Sequence, residues 1–175
     1  DNFTDTGGTT ANYGNSEDVV TVIQPVNAGD AVKITFTQVE IEPNTTGTGT
    51  IAGCWDYLSV YNGPTITSPE LAAVKCGRTG ASPSVSSSLL SVGDSFTSTD
   101  ASGKLTVRFR SDNSVTYEGW QATVSCASMA VDEAMGGNFS FYPNPTTGIL
   151  NISSKSKVEM LEVFNLVGQK VMTLN

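Results

Sequence analysis

The chain has 175 residues, 38% of them apolar and only 15% charged, which is the profile of a β-rich exported protein and excludes a coiled coil or a disordered acidic tail. Nine basic residues, scattered along the chain, stand against 17 acidic ones for a formal net charge of −8. That balance excludes a phosphate-binding nucleic-acid footprint and leaves cations, or basic patches on other proteins, as partners.

No apolar run approaches the roughly 20 residues of a membrane-spanning helix, and no basic-then-apolar leader opens the sequence. The expectation is a chain that starts within a longer protein or after processing. The lead-in DNFTDTGGTTANYGNSED is made of turn formers with tandem glycines and predicts an extended, loop-like segment. Residues 19–23 form a short β-branched run. Residues 31–37 alternate apolar and polar with period two, and Val39 and Ile41 extend the pattern. The loop PNTTGTGTIAG follows and leads into a strand over 55–61 that runs into an Asn62-Gly63 turn. Strands are also predicted over 89–92 and 95–97, either side of Gly93-Asp94, over 105–109 and over 118–124. No segment before Cys126 combines a helical period with caps at both ends, so the predicted fold class is all-β, an antiparallel sandwich.

After Cys126 the composition shifts to ASMAVDEAMGGN, a linker of small and acidic residues. A second pattern starts at Phe139. FSFYPNPTTGILNIS predicts strands around a Thr-Thr-Gly turn, and VEMLEVFNLVGQKVMTL predicts two more around Gly168, although helical spacing is open over 158–166. About 37 residues cannot easily bury an independent core, so this is read as part of a domain.

Histidine is absent, which removes Ser-His-Asp and Cys-His catalysis and the usual zinc ligands. Gly93-Asp94-Ser95 therefore reads as a turn, and no catalytic residue is assigned. Asp56 and Glu42 are candidates by type for a glycosidase acid and base, but both tryptophans lie in or beside strands, where core packing explains them. Three cysteines leave one odd. Cys54 and Cys76 enclose about 21 residues and read as bridged, worth roughly 3 kcal/mol, while Cys126 either pairs with a cysteine upstream of Asp1 or is a buried free thiol.

Asp56, between Trp55 and Tyr57, needs an explanation, because a buried acid is costly unless its charge is offset. A solvated strand end, an ion pair and a metal are the three open possibilities. Glu42 follows one strand and Asp56 opens the next. Consecutive antiparallel strands share an edge, so both acids are expected at one end of the sandwich. Asp112, with Asn113 and Ser114 behind it, joins them if the strand over 105–109 runs in the direction of the strand through Val32. Such carboxylates repel by about 3 to 4 kcal/mol per pair at an effective dielectric of 20. A cation reverses that sign, and Ca2+, which takes six to eight oxygens in flexible geometry, fits best.

The segments Phe36-Thr37-Gln38-Val39-Glu40-Ile41-Glu42, Cys54-Trp55-Asp56-Tyr57-Leu58-Ser59-Val60-Tyr61-Asn62-Gly63, Cys76-Gly77, Phe109-Arg110-Ser111-Asp112 and Gly119-Trp120-Gln121-Ala122 resemble, in order and spacing, successive landmarks of the CUB domain. The resemblance covers nearly all of 1–126. It implies a jelly-roll-like sandwich of two antiparallel sheets with about five strands each. In the calcium-binding members it implies a site at one end, whose ligands fall on Glu42, Asp56 and Asp112, with Asn113 and Ser114 completing it and Tyr13 of Asn12-Tyr13 supporting it. Cys54 and Cys76 match the family's second disulfide. The first is not recognisable, since Gln24 stands where a cysteine is expected, and Cys126 stays unassigned.

Residues 139–175, with Tyr142-Pro143-Asn144-Pro145-Thr146-Thr147-Gly148, are similar to the first half of the C-terminal sorting domain recognised by the type IX secretion system of Bacteroidota. The expected organisation is thus a CUB domain over 1–126, a linker over 127–138 and the N-terminal part of a small β-sandwich sorting domain over 139–175. The implied protein is secreted or held at the surface of a Gram-negative bacterium and engages the type IX machinery. Its expected role is that of a non-catalytic, calcium-binding recognition or adhesion module for a protein ligand that presents a basic side chain. The alternatives are an accessory domain of a secreted hydrolase, a peptidase by preference, with its catalytic domain upstream, and a carbohydrate-binding module.

Overall fold

Alternation along the chain becomes two facing sheets. The computed structural model describes residues 1–47, 51–128, 139–142, 149, 151–154, 160–164 and 169–174, and two units are distinguished, Asp1–Ala130 and Val131–Asn175. The first unit contains β1 (Asn2–Thr4), β2 (Asp18–Ile23), β3 (Asp30–Glu40), β4 (Tyr57–Asn62), β5 (Glu70–Lys75), β6 (Ser95–Thr97), β7 (Leu105–Arg110) and β8 (Gly119–Ser128). One sheet has the order β1-β8-β3-β6 and the other β2-β7-β4-β5, with every pairing antiparallel.

Between the sheets lies one apolar core. Val32, Ile34 and Phe36 enter it from β3, Leu58 and Val60 from β4, Leu105, Val107 and Phe109 from β7, and Trp120 and Ala122 from β8. In β3 the inward set changes phase: Val32, Ile34 and Phe36 are buried, and so is Val39. A register shift against β8 between Phe36 and Gln38 allows this, because one extra residue returns the next apolar side chain to the core.

The fold is the all-β antiparallel sandwich expected, with corrections in its details. The lead-in is not entirely loop: its first residues form β1, paired with β8 across the whole unit. Residues 89–92 do not form a strand. A single 3-10 turn, Ser86–Ser88, precedes Leu89, which makes one isolated bridge to Cys76. Only Leu90 there is buried against the core, so no period-two face exists to hold a strand. β5 carried no β-branched signal in Glu70-Leu71-Ala72-Ala73 and forms at a sheet edge, where backbone pairing with β4 decides. Each sheet has four strands among the described residues, against the expected five or so. Cys126 is unbridged and exposed, which overturns the buried-thiol reading: burial fades along β8 from Ala122 through Val124 to Cys126.

In the second unit β9 (Phe139–Tyr142) pairs antiparallel with β10 (Asn151–Ser154) and β11 (Leu161–Phe164) with β12 (Lys170–Leu174). The segment over 158–166 thus carries a strand, and a Lys170–Glu162 ion pair joins β12 to β11. Tyr142 closes β9. Pro143, Asn144, Pro145 and Gly148 of the sorting motif, and residues 129–138 of the linker, lie outside the described residues.

Candidate metal centre

Glu42 and Asp56 meet because the chain crosses between sheets. Sequence reasoning placed them on a shared edge of consecutive paired strands; β3 and β4 instead belong to opposite sheets. The crossover is closely held. Ile41 pairs with Gly77, Pro43 with Cys54, and the Glu42 carbonyl accepts from the N–H groups of Trp55 and Asp56, each at 3.3 Å. The Cys54–Cys76 disulfide, Cα–Cα 5.9 Å, ties the loop to the segment after β5. Inside the loop, buried Asn44 accepts at Oδ1 from the Thr46 N–H and hydroxyl, both at 2.8 Å, and from the Gly47 N–H at 3.1 Å. Asp112 arrives from the second sheet. β7 lies beside β4 with Arg110 opposite Tyr57, so the end of β7 adjoins the start of β4.

One carboxylate oxygen from each of Glu42, Asp56 and Asp112 lies within 4.8 Å of the other two. Asp56 is 0% exposed and takes part in no ion pair among the described residues, so neither a solvated strand end nor an ion pair accounts for it. Its Oδ2 accepts from the Tyr13 hydroxyl and its Oδ1 from the Asp112 N–H, both at 2.7 Å. The Tyr13 oxygen in turn accepts from the Glu42 N–H at 3.3 Å, and its ring stands edge-on to Phe109 with centroids 5.0 Å apart. The tyrosine therefore links Asp56, the backbone of Glu42 and the end of β7.

Asp112 Oδ1 accepts from the Ser114 N–H at 2.8 Å and from its hydroxyl at 3.4 Å, while Asn113 and Ser114 are exposed. Burial, followed by the charges of Asp56 and Asp112, pushes the Glu42 carboxyl up to about 7, and Arg78 pulls it the other way. Burial also raises the Asp56 carboxyl against the hydrogen bonds from Tyr13 and Asp112. Burial and the hydrogen bond to Asp56 raise the Tyr13 phenol, keeping it protonated as the donor. An all-oxygen donor set with a surplus of negative charge suits a hard divalent cation such as Ca2+.

Two features escaped the sequence reading. Glu17 accepts at Oε1 from the Thr6 hydroxyl at 2.6 Å and the Gly14 N–H at 2.8 Å, its Oε2 is buried without a hydrogen-bond partner among the described residues, and its charge adds to that felt by Asp56. The signal was its place three residues after Gly14, as in a turn cap. The three non-glycine residues with left-handed backbone among those described, Ser16 (φ 59°), Ala52 (φ 52°) and Val115 (φ 57°), all lie in loops around the acids. Such backbone costs on the order of 1–3 kcal/mol per residue and gathers at functional sites.

Comparison with known proteins gives one family match, at the C-terminal end, and a likeness of fold to solved structures. Residues 140–175 match the family model of the secretion system C-terminal sorting domain. Among solved structures, the full extracellular region of zebrafish Gpr126/Adgrg6 is similar with a TM-score of 0.53 and 22% identity, over 82% of this chain and 15% of that one. The CUB1-EGF-CUB2 domains of rat MASP-1 are similar with a TM-score of 0.54 and 16% identity, over 97% of this chain and 54% of that one. The chain thus spans about half the length of the second structure and far less of the first, and at these identities the likeness is one of fold.

Proposed function

We propose that this exported chain, a CUB-like sandwich followed by a type IX sorting tail, holds Ca2+ between Glu42, Asp56 and Asp112 and acts as a non-catalytic recognition or adhesion module. The sorting tail makes the protein a secreted or cell-surface one that engages the type IX secretion machinery. No helix among the described residues is long and apolar enough to cross a membrane. In this reading residues 1–126 form the recognition module, 127–138 its linker and 139–175 the sorting tail.

The observation that carries the ion site is the convergence of three carboxylates within 4.8 Å around a fully buried Asp56. At that distance each pair repels by about 3 to 4 kcal/mol at an effective dielectric of 20, which a divalent cation turns into attraction. Asn113 and Ser114 lie beside Asp112 and supply further oxygens. With the ion in place, the loops from both sheets are held in one arrangement, and their remaining acidic oxygens receive a basic side chain, typically lysine, from a protein ligand. The net charge of −8 supports a basic partner.

Thermal melting and calorimetric titration of the 175-residue chain test this. Ca2+ at 100 times its dissociation constant should add about 2.7 kcal/mol, raising the melting temperature by roughly 5–10 °C, and excess chelator should reverse the gain. Identical melting in calcium and chelator, with no heat of titration, would sink the assignment.

A further inference from the structure

Arg78 lies at the rim of the acidic site, one residue past the Gly77 that pairs with Ile41. It follows the disulfide half Cys76 in a tight turn, where Arg78 and Ala81 exchange backbone hydrogen bonds of 3.1 and 3.0 Å. The turn is anchored beside β3, since Glu40 Oε1 accepts from the Thr79 N–H at 3.2 Å and the Thr79 hydroxyl at 2.5 Å. Among the described residues the Arg78 guanidinium makes no ion pair and no hydrogen bond. Its Cζ lies 4.5 Å from the centroid of the Tyr117 ring, a cation–π contact. Tyr117 belongs to the site's framework, because its carbonyl accepts from the Tyr13 N–H at 3.2 Å and the Tyr13 hydroxyl holds Asp56.

We infer that Arg78 is a tethered counter-charge for the acidic site: parked on Tyr117, it offsets part of the carboxylate repulsion when no divalent ion is held and opposes the ion when one arrives, so that it sets the module's calcium threshold. The inference rests on the calcium reading above. Two features make the arrangement work. The aromatic face holds the guanidinium outside salt-bridge distance of every described carboxylate, so it leaves the ligand oxygens open. Yet its backbone is fixed at the strand end that carries the site: Gly77, just before it, exchanges backbone hydrogen bonds of 2.8 and 3.1 Å with Ile41, just before Glu42. A doubly charged ion several ångströms from a unit positive charge in a partly solvated site loses about three- to tenfold in affinity.

The test is calcium titration of the 175-residue chain as wild type, Arg78→Gln and Arg78→Lys, at low and high ionic strength, with melting curves in chelator and in calcium. Arg78→Gln should bind calcium about three- to tenfold tighter, and the difference should shrink in high salt as exposed charges are screened. Arg78→Lys, which keeps the charge but stacks less well on Tyr117, should bind calcium closer to wild type than Arg78→Gln does. In chelator at pH 8 Arg78→Gln should melt below wild type, and calcium should raise its melting temperature by more. Equal or weaker binding by Arg78→Gln overturns the inference; weakening in both variants makes Arg78 a positioning residue acting through Tyr117. A wild-type chain that takes up no calcium is a different failure, that of the ion site, and removes the threshold with it.

Discussion

Asp56 has water on neither side, although its neighbour Trp55 is 39% exposed. Its two oxygens are held by a phenol and a backbone N–H, both donors that accept a carboxylate and tolerate a neutral oxygen. Asp56→Asn should therefore fold, with the amide turned so that its oxygen keeps the Asp112 N–H and the Tyr13 hydroxyl rotates to accept. In chelator at neutral pH its melting temperature should equal or exceed that of wild type, since one buried charge is gone. In calcium it should gain nothing, and a calcium-dependent shift that survives in Asp56→Asn would count against this residue as a ligand. The carboxylate triad was legible from residue type and place along the chain. Glu17 and Arg78 were not, because nothing local marks a side chain whose partners lie on distant loops. Gly119 is a similar case: its φ of 71° and the contact a Cβ would make with Asp5 Oδ2 demand glycine, yet Asp5 is more than 110 residues away in sequence.

Strands were legible where the pattern is strong, as in β3 and β7, because pleating makes alternation a local property. β1 and β5 escaped because short or alanine-rich edge strands form on a neighbour's backbone and carry little pattern of their own. The crossover from β3 to β4 is the element on which the site depends, and the disulfide holds it. Cys54→Ser with Cys76→Ser should lower unfolding free energy by about 2–4 kcal/mol in chemical denaturation. Loosening the Glu42–Asp56 loop should also weaken calcium binding, and unchanged affinity in the double variant would show that Asn44 and the Pro43–Cys54 bridge suffice to shape the loop.

Across the molecule, burial shifts the carboxyls it affects most in one direction, whereas Asp18 and Asp100 are held low by their hydrogen bonds. The carboxyls of Asp5, Glu42 and Asp56 are all raised, chiefly by burial, Glu42 to about 7. A raised folded value means that the folded state prefers the neutral acid. Stability from this source is fully present below the unfolded carboxylate range of about 4 and is lost as pH rises through the folded values. With chelator present, the chain should lose stability between about pH 4.5 and pH 8, on the order of 1–3 kcal/mol after allowance for solvent screening at half-buried Glu42. Saturating calcium should flatten that slope. Melting temperature against pH with and without calcium measures it; parallel curves would separate the titration from the ion site.

By itself the sequence determined an all-β chain, an acidic balance, a set of oxygen-bearing residues at strand ends and a sorting motif, since composition and period-two alternation are properties of neighbouring residues. Only the tertiary structure decided that Glu42 and Asp56 come from opposite sheets, that Asp56 loses all contact with water, and that Arg78 rests on Tyr117 beside the acids. The reason is one of range. Pairings such as Asn2 with Thr123 join distant parts of the chain, and burial of a charge is a consequence of how those parts close over it.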